Sequence, residues 1–310
     1  MRLYFALALT LSALISTPVV AGNVGTALTA GTLRLLGDDD DNRVVLVQAT
    51  NGDVIVLGFP GTTTNNGTVA VFPSATLLEV RMNLAGGSDR MVIGGLNVAG
   101  DFSFLGEDGD DIVTQTNAPI FVGGNVVFGF GDGRDALTLD GLTVLGDASF
   151  TDTGQEFLLF TLFNADFAGN VDVVGTTDGD AIDFLDSTIS GALTVSSPAG
   201  GISSGVIACT VGSADFSGGG ASSVQFFDSL VTGSVNATGS EEVDFIDFAN
   251  TEIQGDVTAQ ALGGEDLFAA FEFESRGEVV FDGGEGVDTF RDDGITADRG
   301  VSLISVEVVQ

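Results

Sequence analysis

The 310-residue chain has no lysine, no histidine and no tryptophan, a single cysteine at Cys209 and only five prolines. Without histidine or lysine, imidazole acid–base catalysis, histidine-ligated metal centres and lysine Schiff-base chemistry are excluded. One cysteine allows no internal disulfide, so stability must come from packing, backbone pairing or bound ions. Positive charge is scarce as well: nine arginines stand against 44 acids, a formal net charge of −35. So anionic a surface repels nucleic acid and anionic lipid and attracts cations. What is abundant is glycine, 45 residues, alongside a hydrophobic content of 44%. That combination fits neither a disordered acidic tail nor an ordinary enzyme core.

Met1 to Ala21 reads as an export signal, with Arg2 as a minimal positive start, an apolar run from Leu3 to Ile15, and the small-residue site Val19-Val20-Ala21. The mature chain is expected to begin near Gly22, outside the cytoplasm: secreted, or at the cell surface. The apolar run is too short to span a bilayer, which takes ~20 residues, and no later stretch matches it.

Beyond residue 84 a repeat dominates. A glycine precedes an alternating strand at Gly100, Gly124, Gly146, Gly169, Gly191, Gly212, Gly233, Gly255, Gly277 and Gly300, at intervals of 21 to 24 residues. Apolar residues follow two and four places later, as in Phe102/Phe104, Val126/Phe128, Val171/Val173 and Val279/Phe281; the last repeat offers Ser302 and Ile304. Upstream, pairs such as Met91/Ile93, Leu137/Leu139, Phe160/Leu162 and Ile246/Phe248 mark a second strand. Val98, Val122, Val144, Phe167, Ile189, Val231 and Ile253 mark a short third. Period-two strands, three to a repeat of about 22 residues, predict an all-β parallel β-helix of about ten coils over residues 85–310. No single repeat buries its own apolar face; stacking does. The alternative, an antiparallel sandwich, would show hairpin spacings instead of one period.

Residues 22–84 break the period and read as an N-terminal β cap. Arg43 to Thr50 and Asp53 to Leu57 flank Asn51-Gly52, a dipeptide suited to a tight hairpin with positive φ at both central residues. Further strands are expected at Thr68 to Phe72 and Leu77 to Leu84. Such a cap protects an exposed solenoid edge.

Between coils the turns carry Gly and Asp together: Gly87-Ser88-Asp89, Asp108-Gly109-Asp110-Asp111, Gly131-Asp132-Gly133-Arg134-Asp135, Asp178-Gly179-Asp180 and Gly283-Gly284-Glu285-Gly286-Val287-Asp288. The last fits a Gly-Gly-x-Gly-x-Asp-x-apolar-x nonapeptide, and Gly131 to Thr138 fits most of it. Here the chain resembles secreted bacterial β-solenoid proteins with hemolysin-type (RTX) calcium-binding turns, over roughly residues 85–304. The resemblance implies Ca2+ held between turns by Asp89, Asp108, Asp110, Asp111, Asp132, Asp135, Asp178, Asp180 and Asp288 together with backbone carbonyls. The chain departs from the pattern in offering at most one such turn per coil, and in degrading it at Gln155-Glu156, Gly218-Gly219-Gly220 and Ser240-Glu241-Glu242. Hard oxygen ligands suit calcium independently of any family. The plain alternative is that Asp and Gly occupy turns because they accept left-handed dihedrals.

Composition and repeat together point to an exported acidic solenoid serving as a structural or interaction protein at a cell surface or in a matrix. Its expected partners are cations and envelope or matrix components, not nucleic acid. The competing reading is a carbohydrate-active β-helix enzyme using paired acids, with Asp183 and Asp186, Asp244 and Asp247, or Asp228 as candidates. Against it stand the missing bases and the arginine-free stretch between Arg134 and Arg276.

Overall fold

A computed structural model describes residues 22–73 and 76–309; the expected export signal, Met1 to Ala21, lies outside them. The described residues form strands and turns with no helix, and Thr32–Leu36, Arg43–Gln48 and the strands from Glu79 onward wind into a parallel β-solenoid of three faces. The first face stacks strands led by the repeat glycine, among them Phe102–Leu105, Val126–Phe130, Ala148–Asp152 and Val171–Val174, each parallel to the last. The second stacks Arg90–Gly94, Ile112–Gln115, Asp135–Asp140, Leu158–Phe163 and Asp180–Leu185. The third is narrow, two or three residues per coil, such as Ile120–Val122 and Leu142–Val144. Parallel pairing of each coil with the next excludes the sandwich.

The alternation read from the sequence is the alternation of burial. Phe102, Phe104, Val126, Phe128, Met91, Ile93, Leu137, Leu139, Val98 and Val122 all lie inside. Equivalent side chains stack: Phe104, Phe128 and Phe150 follow one another with ring centroids 5.8 and 5.6 Å apart, and Phe226 and Phe248 lie 5.4 Å apart. Each such pair adds about 0.5–1.5 kcal/mol beyond the area it buries.

The signature glycine is there because two backbones touch. A Cβ on Gly146 would sit 2.6 Å from the carbonyl oxygen of Gly124, and one on Gly169 would sit 2.4 Å from that of Gly146. The same closeness lets Gly146 N–H donate to Gly124 at 3.0 Å. The next residue forms an outer rail: Asn125, Asp147, Asn170 and Ala192 donate their backbone N–H to the side chains of Asp101, Asn125, Asp147 and Asn170 at 2.8–2.9 Å. Gly300 departs from this column. Register pairs Val279 with Val301 and Phe281 with Leu303, so Val301 and Leu303, rather than Ser302 and Ile304, continue the buried columns, although at this last coil both remain exposed.

At the other end, only part of residues 22–84 is cap. Thr32–Leu36 and Arg43–Gln48 already pair in parallel with Glu79–Asn83 and Arg90–Gly94. Antiparallel strands cover them, through Gly22–Thr29 and the Arg43–Gln48/Val54–Gly58 hairpin. That hairpin closes on five residues, 49–53, and of Asn51-Gly52 only Gly52 takes a positive φ, 86°.

Candidate functional site

The aspartates singled out in the turns divide into two sets. Asp108, Asp110, Asp132 and Asp178 are exposed on the turn face. Asp89, Asp111, Asp135, Asp180 and Asp288 are instead 0–3% exposed and stand in one interior column at the corner entering the second face. In each coil the carboxyl accepts a hydrogen bond from the backbone N–H of the equivalent residue one coil earlier. Asn42 donates to Asp89 at 2.6 Å, Asp89 to Asp111 at 2.9 Å, and Asp111 to Asp135 at 2.7 Å. Leu158 donates to Asp180 at 3.1 Å, and Asp266 to Asp288 at 2.9 Å.

Sequence reasoning missed several members of this corner, among them Ser222 and Glu307, which accept from Ile202 N–H at 3.3 Å and from Asp288 N–H at 2.9 Å. Asp244 and Asp266 are rungs, receiving the N–H groups of Ser222 and Asp244 at 2.7 Å each. Asp152 reaches the same interior from the end of its first-face strand, at the coil where Leu158 interrupts the column. A period of about 22 residues between aspartates five places after a glycine, as at Gly106/Asp111, Gly175/Asp180, Gly239/Asp244 and Gly283/Asp288, was the available signal. A Cβ on any of these glycines would lie 1.9–2.3 Å from the aspartate Oδ2, so the glycine makes room for the carboxyl.

Burial controls the chemistry of the column. Loss of solvent pushes Asp89 up to about 8, Asp111 to about 7, and Asp135 to about 8, opposed in each case by the rung hydrogen bond. Asp152 and Asp266 rise to about 6 for the same reason. The second oxygens of Asp89, Asp111, Asp135, Asp152, Asp266 and Asp288 have no donor. Neighbouring carboxyls add to the rise: Asp152 and Asp111 act on Asp135, and Asp244 and Asp288 on Asp266. Among the described residues no group of three or more His, Cys, Asp or Glu side chains gathers as metal ligands would.

The carboxylates considered for glycoside chemistry do not converge. Asp244 faces the interior column just before the strand Phe245–Ala249, and Asp247, within that strand, faces out. Asp183 and Asp247 share an outward row with Gly205 and Gln225 between them, a separation of three coils or ~14 Å. Glycosidase pairs need about 5–9.5 Å. Asp186 and Asp228 hold a different post. They belong to a corner column of left-handed residues, Asn164, Asp186, Ala208, Asp228 and Asn250, with φ of 49–54°. Asp and Asn accept that conformation more readily than other side chains. Cys209 is also a rung: its thiol accepts from Ser187 N–H at 3.4 Å, its own N–H donates to Ser229 Oγ at 3.1 Å, and burial pushes the thiol up to about 11. So high a value leaves no thiolate for nucleophilic work.

No family model, no curated protein and no solved structure matches this chain. Its described residues contain no helix long and apolar enough to cross a membrane, which leaves strands unaddressed.

Proposed function

We propose that the chain is an exported, non-enzymatic acidic β-solenoid that acts as a structural or interaction rod at a cell surface or in an extracellular matrix. The observation behind this reading is where the perturbed acids are. Carboxyls pushed far from their ordinary range are commonly functional, yet here they are rungs of an interior ladder and so are accounted for by holding coils together. The outward acids lie spread over flat strand faces, where they hydrate the rod and attract cations. Calcium belongs to this reading as one such cation, recruited by the exposed turn acids Asp108, Asp110, Asp132 and Asp178.

The test has two arms. Fractionation of the source cells, with mass measurement of the recovered protein, should find it outside the cytoplasm with its first residue near Gly22. Incubation with neutral and acidic polysaccharides should release no reducing ends and no unsaturated products. Cleavage that Asp247→Ala or Asp183→Ala abolishes would replace the rod by an enzyme.

A further inference from the structure

Arginine is used sparingly in this chain, and most telling are the arginines it leaves unpaired. Arg81, Arg276 and Arg299 form ion pairs with Glu79, Glu252 and Asp256. Five of the eight described arginines form none, among them Arg43, Arg90 and Arg134, although acids outnumber cations almost fivefold. These three line one groove of about 380 Å³ on the second face. Arg43 and Arg90 are register partners on adjacent parallel strands, so two guanidinium-bearing side chains leave the backbone ~4.8 Å apart. Like charges side by side are unfavourable unless an anion lies between them.

Three acids, Asp41, Asp110 and Asp135, line the same groove without pairing with these guanidinium groups. Asp41 and Asp110 accept hydrogen bonds from the backbone N–H groups of Ser88 and Arg134. Asp135, pushed up to about 8 by burial, is largely uncharged near pH 7. Three guanidinium groups against the carboxylates of Asp41 and Asp110 leave the groove with a small positive excess on a molecule that is anionic almost everywhere else.

Its far wall is apolar: Phe157 and Leu159 are 40% and 42% exposed there. Phe157 also lines a second trough, of about 720 Å³, whose floor is Gly200, Gly201, Gly220 and Ala221 and whose rim carries Asp178 and Glu242. Along the solenoid axis the surface thus runs from three cations, past an aromatic ring, to a bare backbone floor with acidic edges. We propose that this path binds an oligosaccharide with an acidic unit at one end. The sugar carboxylate sits between the guanidinium groups, as their forked donors favour. The next ring lays its C–H face on Phe157, and neutral units run on over the glycine floor, their hydroxyls donating to Asp178 and Glu242. The acidic rim rejects a chain charged along its whole length, so the ligand carries its anion at one end only. The proposal names a ligand class for the interaction role given above and rests on that reading.

Isothermal titration calorimetry on the mature full-length chain tests it, with three probes: a neutral xylo-oligosaccharide of four units, the same oligosaccharide ending in glucuronic acid, and sodium glucuronate alone. The acid-ended oligosaccharide is expected to bind at least about tenfold more tightly than the neutral one. Arg90→Gln and Arg134→Gln should each weaken it about tenfold while leaving circular dichroism and the melting temperature unchanged. Phe157→Ala should weaken the oligosaccharide but not glucuronate. Equal affinity for neutral and acid-ended probes, no binding at 10 mM (about −2.7 kcal/mol), or wild-type affinity in Arg90→Gln would overturn the proposal. So would an Arg90→Gln effect confined to sedimentation behaviour, which would assign the groove to a second copy of this chain. None of these outcomes touches the rod reading, which stands or falls on fractionation and cleavage assays.

Discussion

Cys209 shows how a position is decided by its column. Ser187 and Ser229 occupy the same corner one coil before and one coil after, and the thiol stands in for their hydroxyl, accepting from one neighbour as it donates its backbone N–H to the other. Cys209→Ser should therefore keep the urea midpoint, whereas Cys209→Val, of similar bulk but with no acceptor, strands the Ser187 N–H. We expect a loss of about 1–3 kcal/mol. The sequence showed a lone cysteine in an apolar coil and allowed its burial to be inferred, but not its rung, because the partners lie about 20 residues away and differ in type. Gly146 is the contrasting case, since its importance was visible in the repeat. Its reason was not: the φ is unexceptional, and what forbids a side chain is the Gly124 carbonyl 2.6 Å from where Cβ would stand. Gly146→Ala must separate two coils, at about 2 kcal/mol or more, read as a lowered denaturation midpoint with wild-type slope.

At the scale of the element, the strands were legible and the corners were not. Alternation every second residue records which side faces inward, and the parallel register confirms it from Val80 through Phe281. Corner aspartates carry no such mark: Asp110 and Asp111 are adjacent, identical in composition, and one is exposed while the other is fully buried. The difference has a measurable consequence. Asp89, Asp111 and Asp135 have folded-state values of about 7–8 against 3.8 unfolded, so between those limits the folded chain binds more protons. Stability must then fall as pH rises from about 4 to 8 and level off above, the reverse of a protein held by ionised salt bridges. Thermal melts at pH 4.5, 6.5 and 8.5 should show midpoints descending in that order. Asp111→Asn keeps an oxygen for the Asp89 N–H and cannot ionise. Its melting temperature should match wild type near pH 4.5, exceed it at pH 8.5, and so flatten the profile; a parallel profile would mean that the interior acids are already ionised at neutrality.

For the molecule as a whole, the governing quantity is charge that has no counterpart. No cation occurs between Arg134 and Arg276, and where exposed acids do meet across adjacent coils, as Asp108 and Asp132 do, a like pair ~4.8 Å apart repels by ~1 kcal/mol even in water. Counter-ions in solution must carry the balance, and the Debye length shrinks from about 30 Å at 0.01 M salt to about 8 Å at 0.15 M. Raising sodium chloride across that range should raise the melting temperature by several degrees. Calcium and magnesium at matched ionic strength then separate two origins of the gain. If the exposed turn acids Asp108, Asp110, Asp132 and Asp178 only gather counter-ions, the two metals raise the midpoint equally and a chelator removes no more than the change in ionic strength explains. If a turn holds calcium in an oxygen cage, calcium alone gives an excess, the excess saturates, and Asp132→Asn or Asp178→Asn abolishes it. The scattered placement of these four side chains, with no cluster of three or more metal-ligating residues among the described part of the chain, leads us to expect the first result.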